Sequence, residues 1–481
     1  MEYTLKTKTG LINIAALLTV FTGILIFFLG AHPIVPWDGD DWGTLNNYNR
    51  HALPTWGTWN PSRILPEVIG PLLGYFSAYV VYPIYGDYVQ SITISVALLL
   101  ATSMSIFFYM LCKLFYTLAK QQMVAICASL LVVVLYFLIF KSKPDDNFYM
   151  MWSFNLCTAI YYLIPNLFNS VLVCYFIIKI IENKNLQLTD NNLYKYGFFI
   201  LILYFAGFSM MWASAMVALY LFLEIVFGFA SNGIKGYWTN KLQYNKVYLF
   251  FIVVFLTYCV FEFFGGRSAE LQKEHPSGSW LKSSFNHFMR LAKQVELLSA
   301  TFGITALLSA LFVKFRTKES NVTFRLAVRF IICAICISLF YIIADTKAGP
   351  SFASRIESVY GSYFFIILAA VTCCVYVVTK YPKAFLVMPV ILVVLFNEAT
   401  RSYKPFSLGH WTDTSSMQKR TYMTQWINEV KKADKEGKLT VTIKYPGGLR
   451  IWTKWLSEAL YAHNITSRQM EIIFTEESRQ Q

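Results

Sequence analysis

Apolar runs of helix length recur along almost the whole chain, and they decide what it can fold into. They cover about 11–30, 89–112, 122–140, 165–181, 196–211, 213–230, 247–264, 300–314, 328–344, 361–379 and 384–398. At 1.5 Å per residue, about 20 residues cross the ~30 Å hydrocarbon layer of a bilayer. A helix is also the form in which a single segment satisfies its own backbone in lipid. The spacing therefore predicts a polytopic α-helical membrane protein with about eleven spans. Composition agrees: 56% of the 481 residues are hydrophobic, 17% are aromatic and mean hydropathy is +0.48. Charged residues make up only 14%, against about 25% in soluble domains. A compact cytosolic enzyme is excluded, because a water-soluble fold could not hide this much apolar surface.

The net charge of +14 has a topological explanation and calls for no nucleic acid. Lys and Arg concentrate in cytoplasmic loops. Lys6 and Lys8 precede the first run, which is longer than a signal-peptide core and has no small-residue cleavage site after it. It is expected to be a retained helix with a cytoplasmic N-terminus. Alternate loops then carry Lys113 and Lys120, Lys179, Lys184 and Lys195, Lys235, Lys241 and Lys246, Lys314, Arg316, Lys318, Arg325 and Arg329, and Lys380 and Lys383. An odd number of spans puts loops 31–88, 141–164, 265–299 and 345–360 on the outer side. The spanning module is 1–398, and the tail, 399–481, lies outside as a small α/β extracytoplasmic domain. That tail reads as helix (about 415–433), strand (about 438–444), helix (about 450–462) and strand (about 470–474). Segment 64–86 is apolar but broken by Pro66, Pro71 and Pro83, so it is expected to hug the interface or re-enter rather than cross.

The first outer loop carries the strongest chemical pattern. Asp38, Asp40 and Asp41 lie in WDGDDW, between Trp37 and Trp42. Crowded carboxylates raise at least one pKa, which suits a base that takes a proton from a hydroxyl. The tryptophans could anchor at the interface or stack on a sugar, and a plain solvated turn would also account for the pattern. Arg63 and Glu67 follow in NPSRILPEVIG; a guanidinium there can clamp a phosphate or merely meet lipid headgroups. Arg355 and Glu357, in SRIESVYGSYFF, offer the same choice where the chain re-enters the membrane, and Arg267 is a weaker version. Asp145 and Asp146 read as loop residues. Glu224 reads as structural, within snorkelling reach of the cytoplasmic end.

The nine cysteines sit almost entirely in apolar runs, where the residue acts as a small hydrophobe. Cys333 and Cys336 form a CxxC with no second pair, a poor basis for zinc or redox chemistry. Nucleotide-loop, dinucleotide, HExxH and serine-hydrolase signatures are absent from the sequence. The sequons at Asn321 and Asn464 are short enough to occur by chance.

A polytopic chain with an acidic motif directly after its first helix resembles the GT-C glycosyltransferases. The WDGDDW…NPSRILPE loop, the SRIESVYGSYFF return and the short outer tail look most like the phage-type serotype-converting O-antigen glucosyltransferases. The resemblance implies transfer of a sugar, glucose being expected, from an undecaprenyl-phosphate donor to a lipid-linked O-antigen or related polysaccharide on the periplasmic face of a bacterial inner membrane. It places Asp40 or Asp41 at the transfer site as base, with Asp38 beside them. Arg63, Glu67, Arg355, Arg267, Trp37 and Trp42 would then serve donor and substrate binding. No cofactor is required on this reading, although three aspartates could hold a divalent metal. Partners are the donor, the acceptor and membrane lipids. An O-antigen polymerase or ligase is the alternative within glycan chemistry, and a lipid-linked glycan transporter or flippase the alternative outside it.

Overall fold

The computed structural model describes residues 8–46, 51–58, 60–140, 150–151, 153, 155–182, 193–266, 280–318, 321–402, 415–446 and 454–477. It is a helical membrane protein: among the described residues, ten helices are long and apolar enough to cross a bilayer. They are 10–31, 64–85, 88–119, 156–181, 211–228, 246–264, 297–317, 322–346, 356–380 and 382–401, and the apolar helices 122–138 and 197–207 are shorter. In chain order we label α1 (Lys8–Ile26), α2 (Gly39–Leu45), α3 (Ile64–Tyr85), α4 (Tyr88–Ala119), α5 (Gln122–Leu138), α6 (Leu156–Ile181), α7 (Leu193–Gly207) and α8 (Met211–Phe264). There follow α9 (Trp280–Ala292), α10 (Leu297–Thr317), α11 (Val322–Ala348), α12 (Ile356–Lys380) and α13 (Val387–Ser402). The tail contributes α14 (Ser416–Lys435), β1 (Thr440–Pro446), α15 (Leu456–Ala462) and β2 (Glu471–Glu477).

Length and composition alone place α3 among the candidate spans, but its contacts say where it lies. At its start, the Leu65 N–H donates to the Phe208 carbonyl at 3.0 Å. At its end, Lys431 of α14 bonds the Tyr82 hydroxyl, and the Thr424 hydroxyl donates to Asp87 Oδ2 at 3.3 Å. Along its middle, Gly70 and Gly74 lie against the Thr44 and Leu45 carbonyls of α2. A side chain at either glycine would collide with backbone, so the bare surface is what lets the two helices touch. Both ends of α3 thus meet the same cluster of loops and tail at one end of the bundle. Pro71 and the π-helical turn at Ser77–Val81 interrupt it on the way.

The backbone of α8 is helical throughout its 54 residues, where a loop at 232–245 is the sequence expectation. A straight helix of that length would separate its ends by about 80 Å. Yet Glu262 accepts from Ser62, and the Tyr258 ring sits 6.1 Å from Phe208 beside the other end. Its two spanning stretches, 211–228 and 246–264, therefore run side by side and not end to end, and both ends of α8 reach the first loop. Near the opposite end of the bundle, Arg329 forks onto both oxygens of Glu224 at 2.8 and 3.0 Å, which settles Glu224 in a pair.

In the tail, Met423, Trp426, Ile427, Val430 and Ala433 are buried on one face of α14, the helical spacing of an amphipathic element. Strands β1 and β2 pair in parallel, Thr440 opposite Glu471 through Pro446 opposite Glu477. The strands begin one or two residues later than the sequence suggests, and 447–453 lie outside the described residues.

Candidate functional site

The acidic motif folds into the start of α2. Asp38 caps it: Asp38 Oδ1 accepts from the Asp41 N–H at 3.1 Å, and Asp41 closes a reciprocal capping box. This arrangement satisfies N–H groups that the first turn would otherwise leave unpaired. The two glycines of the segment, Gly39 and Gly43, are buried with it. Asp41 is fully enclosed and spends both oxygens on backbone donors. Its Oδ2 accepts from Trp37 N at 2.9 Å, and Oδ1 from Cys157 N at 2.8 Å. Burial and the adjacent Asp38 carboxylate push Asp41 well above the usual carboxylate range. Asp38 Oδ2 accepts from Asn155 Nδ2 at 3.0 Å. Asp40, on the same helix, is half-buried, and its backbone carbonyl takes the Thr44 hydroxyl at 2.7 Å. The three acids therefore differ: one caps, one pins the loop to α6, and Asp40 is the member whose side chain takes no part in the capping.

The element they meet is the first part of α6, where Ala159–Leu163 forms a π-helical turn. Such turns occur often at functional sites, because the extra residue redirects neighbouring side chains. Here it presents Tyr161 and Tyr162 in succession. The Tyr161 hydroxyl donates to Glu67 Oε1 at 2.5 Å, and Asn60 Nδ2 reaches the same oxygen at 3.3 Å. Tyr162 lies under the Arg355 guanidinium, 5.2 Å from its carbon, and Phe352 packs against that group at 4.8 Å. Trp212 extends the stack, 6.3 Å from Tyr162 and 5.6 Å from Phe352. Trp212 Nε1 donates to Asp345 Oδ1 at 2.9 Å. Arg355 itself is held by Glu357 Oε1, at 2.6 Å from Nε and 2.5 Å from the terminal nitrogen. Cys157 lies within electrostatic reach of Asp38, Asp40 and Asp41 on one side and of Arg355 on the other. The acidic loop and the 355 return, far apart in sequence, are brought together across α6.

Arg63 and Glu67 sit differently from the expected phosphate clamp. Arg63 is only 6% exposed and pairs with Glu262 Oε2 at 3.5 Å, while Glu67 is 2% exposed and its Oε1 accepts from both Tyr161 and Asn60. Both tie α3 to α6 and α8. Trp42 is completely buried against Tyr88, and Trp37 packs on Trp426 of α14 at 5.4 Å. An enclosed ring has no face to offer a sugar, so Trp42 is core and Trp37 is the seam to the tail. Arg267, Asp145 and Asp146 lie outside the described residues. Among the described residues, no three His, Cys, Asp or Glu side chains are grouped so as to hold a metal ion.

Four contributors escape the sequence reading: Asn155, the Tyr161–Tyr162 pair, Trp212 and Lys419. Lys419 of α14 lies 6.0 Å over the Trp37 ring and feels the charges of both Asp41 and Asp38. Its stem is buried, and that burial pulls its pKa down. A tandem tyrosine at the mouth of an apolar run is the one signal that could have drawn attention to α6. Compared with protein-family models, curated proteins and solved structures, the chain finds no match in any of the three.

Proposed function

We propose that the chain is a membrane glycosyltransferase of the GT-C kind, transferring a hexose from a polyprenyl-phosphate donor to a lipid-linked polysaccharide. The reading rests on the sequence resemblance, and one structural observation supports it above the others. A half-buried acid, Asp40, and a half-buried guanidinium, Arg355, flank the same short stretch of α6 at one end of an apolar bundle. In this reading that end faces the periplasm of a bacterial inner membrane, the N-terminus is cytoplasmic, and α3 lies along the interface, leaving eleven spans. The small α/β tail is then a periplasmic domain docked on the site.

Asp40 is the proposed base: it takes the acceptor hydroxyl proton while the oxygen attacks the anomeric carbon. Asp38 and Asp41 hold the loop that carries it. Arg355, braced by Glu357 and stacked on Tyr162, stabilises the phosphate that leaves, where low dielectric strengthens the attraction. Arg63 and Glu67 position the loop, without contact to donor. The paired Glu224 and Arg329 leave no unbalanced charge between them for a transport route, which favours chemistry at the interface over a flippase.

The test is transfer by purified enzyme from a polyprenyl-phosphate hexose to lipid-linked acceptor, followed by mass spectrometry. A gain of one hexose per repeat, abolished in Asp40→Asn and strongly lowered in Arg355→Lys, is the expected result. Joining of whole repeats without an added hexose would instead establish a polymerase.

A further inference from the structure

At the end of the bundle opposite the acidic loop, a cavity of about 290 Å³ opens between α1, α4 and the last turn of α6. Its walls differ along its depth. Ile14 and Leu17 line it from α1, and Tyr109, 51% exposed toward the surroundings of the bundle, lines it from α4. Toward the helix ends it carries Lys113 and Lys120, with Glu182 as the acid in the lining. Seven residues separate the two lysines, so they share one face of α4 two turns apart. Lys120 ends α4 in the left-handed region (φ 55°), its N–H bonded to the Tyr116 carbonyl at 2.8 Å. From Gly10 to Leu17 the lining runs about 10 Å along α1. Among the described residues, a cleft lined by two ammonium groups and one carboxylate, with an apolar wall beyond them, matches a molecule with an anionic head and a hydrocarbon tail.

We propose that this cavity binds one anionic phospholipid. The phosphate sits between Lys113 and Lys120, and the first carbons of an acyl chain lie along Ile14, Leu17 and Tyr109. The charge balance sets the preference: a net anionic head gains from both lysines, whereas a zwitterionic head brings its own cation to them. The site is remote from the transferase machinery and stands whether or not that reading is correct.

Native mass spectrometry of the full-length protein in detergent, titrated with phosphatidylglycerol or phosphatidylcholine, provides the test. Wild type should retain one phosphatidylglycerol with about tenfold or greater preference, the scale two lysines near an anionic head can supply. Lys113→Gln with Lys120→Gln should abolish the preference. Lys314→Gln with Lys318→Gln, outside the cavity, should keep it. Ile14→Trp, which fills the apolar wall and leaves both lysines, should displace the lipid as well. Equal binding of the two lipids by wild type, or equal loss in the Lys314/Lys318 control, would overturn the proposal. So would retention of the preferred lipid in Ile14→Trp. Inorganic phosphate should not compete at millimolar concentration; if it did, the ligand would be a free anion and the lipid assignment would fail.

Discussion

His463 gives the tail a pH-sensitive hold on the bundle. The ring is 1% exposed, follows α15, and meets Tyr88 through a 2.5 Å contact between Nδ1 and the phenol oxygen. Its other edge lies against Gly74, and the Tyr75 ring stands edge-on at 5.2 Å. Burial pushes the imidazole pKa down to about 4 from 6.5. The docked state therefore prefers the neutral ring. Its contribution is complete above pH 6.5 and is lost progressively as pH falls from there through about 4. At about 1.36 kcal/mol per pH unit, that gap corresponds to about 3–4 kcal/mol, or a shift of roughly 300-fold in the docking equilibrium once complete and about half that at pH 4. Hydrogen exchange on peptides covering 456–466, corrected for the intrinsic pH dependence of exchange, should show protection falling by that order between pH 7 and 4. His463→Gln is neutral at every pH, so it should remove this dependence even if its protection starts lower. Constant protection in the wild type, or the same pH dependence in His463→Gln, would refute the account. His32 is similarly depressed to about 4, held by the Ser153 carbonyl at 2.8 Å. It reports through different peptides and can be separated from His463.

Further outcomes follow from the site and its setting. Asp40→Asn should lower transfer by about 10²-fold or more with normal stability, as for a lost general base. Asp41→Asn should instead destabilise by about 1–3 kcal/mol, since one amide oxygen cannot serve both Trp37 N and Cys157 N; thermal melts beside kinetics separate the two. Tyr161→Phe should cost about 1–3 kcal/mol by stripping buried Glu67 of its shortest donor, and a melting temperature equal to wild type would remove the strut role. Nitroxide labels at Leu281, Phe285 and Met289, exposed on one stripe of α9, should be reached by oxygen and shielded from a water-soluble nickel chelate. That is the pattern of an amphipathic helix lying in the membrane interface, and equal access to both reagents would refute that placement of α9. Alkaline phosphatase fused after Gln481 should be active; a stable but inactive fusion would reverse the proposed orientation of the tail.

Nine of the eleven predicted runs return as helices long and apolar enough to cross, because lipid demands long apolar helices and composition records that demand, while 122–138 and 197–207 are shorter. Segment 64–86 carries three prolines that sequence reads as breaks, yet its helix runs from Ile64 to Tyr85 and is long and apolar enough to cross. The chain's α/β order in the tail could be read, but not its docking, which depends on Trp37 meeting Trp426 and His463 meeting Tyr88. The acidic triplet was visible as a cluster, yet its division of labour was hidden. Which carboxylate caps and which pins the loop to α6 depends on a helix start and on the Cys157 N–H from more than a hundred residues away. Arg63 looked like a phosphate ligand because local sequence contains no trace of Glu262, its partner from the far end of α8. Long-range pairing of polar groups leaves no periodicity to read.

Three π-helical turns, at Phe27–Ala31, Ser77–Val81 and Ala159–Leu163, all lie toward the end of the bundle that holds the acidic loop. Each works as a phase shifter. An α-helix advances about 100° per residue, so a widened turn that holds one more residue shifts by roughly that angle which side chains beyond it face a given direction, compared with a regular helix of the same sequence. In α6 the turn stands between Asn155 and Cys157, which serve the acids, and Asn166, whose amide donates to the Glu357 carbonyl at 2.8 Å. A single-residue deletion within 159–163 would let the helix relax to regular winding. Because the widened turn holds one residue more than a regular one, that deletion would leave the acid-facing and arginine-facing halves aligned and would cost the placement of Tyr161 and Tyr162 within the turn. Rewinding the turn to a regular helix with every residue kept would instead turn the downstream half by about 100°, and the chain would still insert and pack with its two working ends aimed past each other.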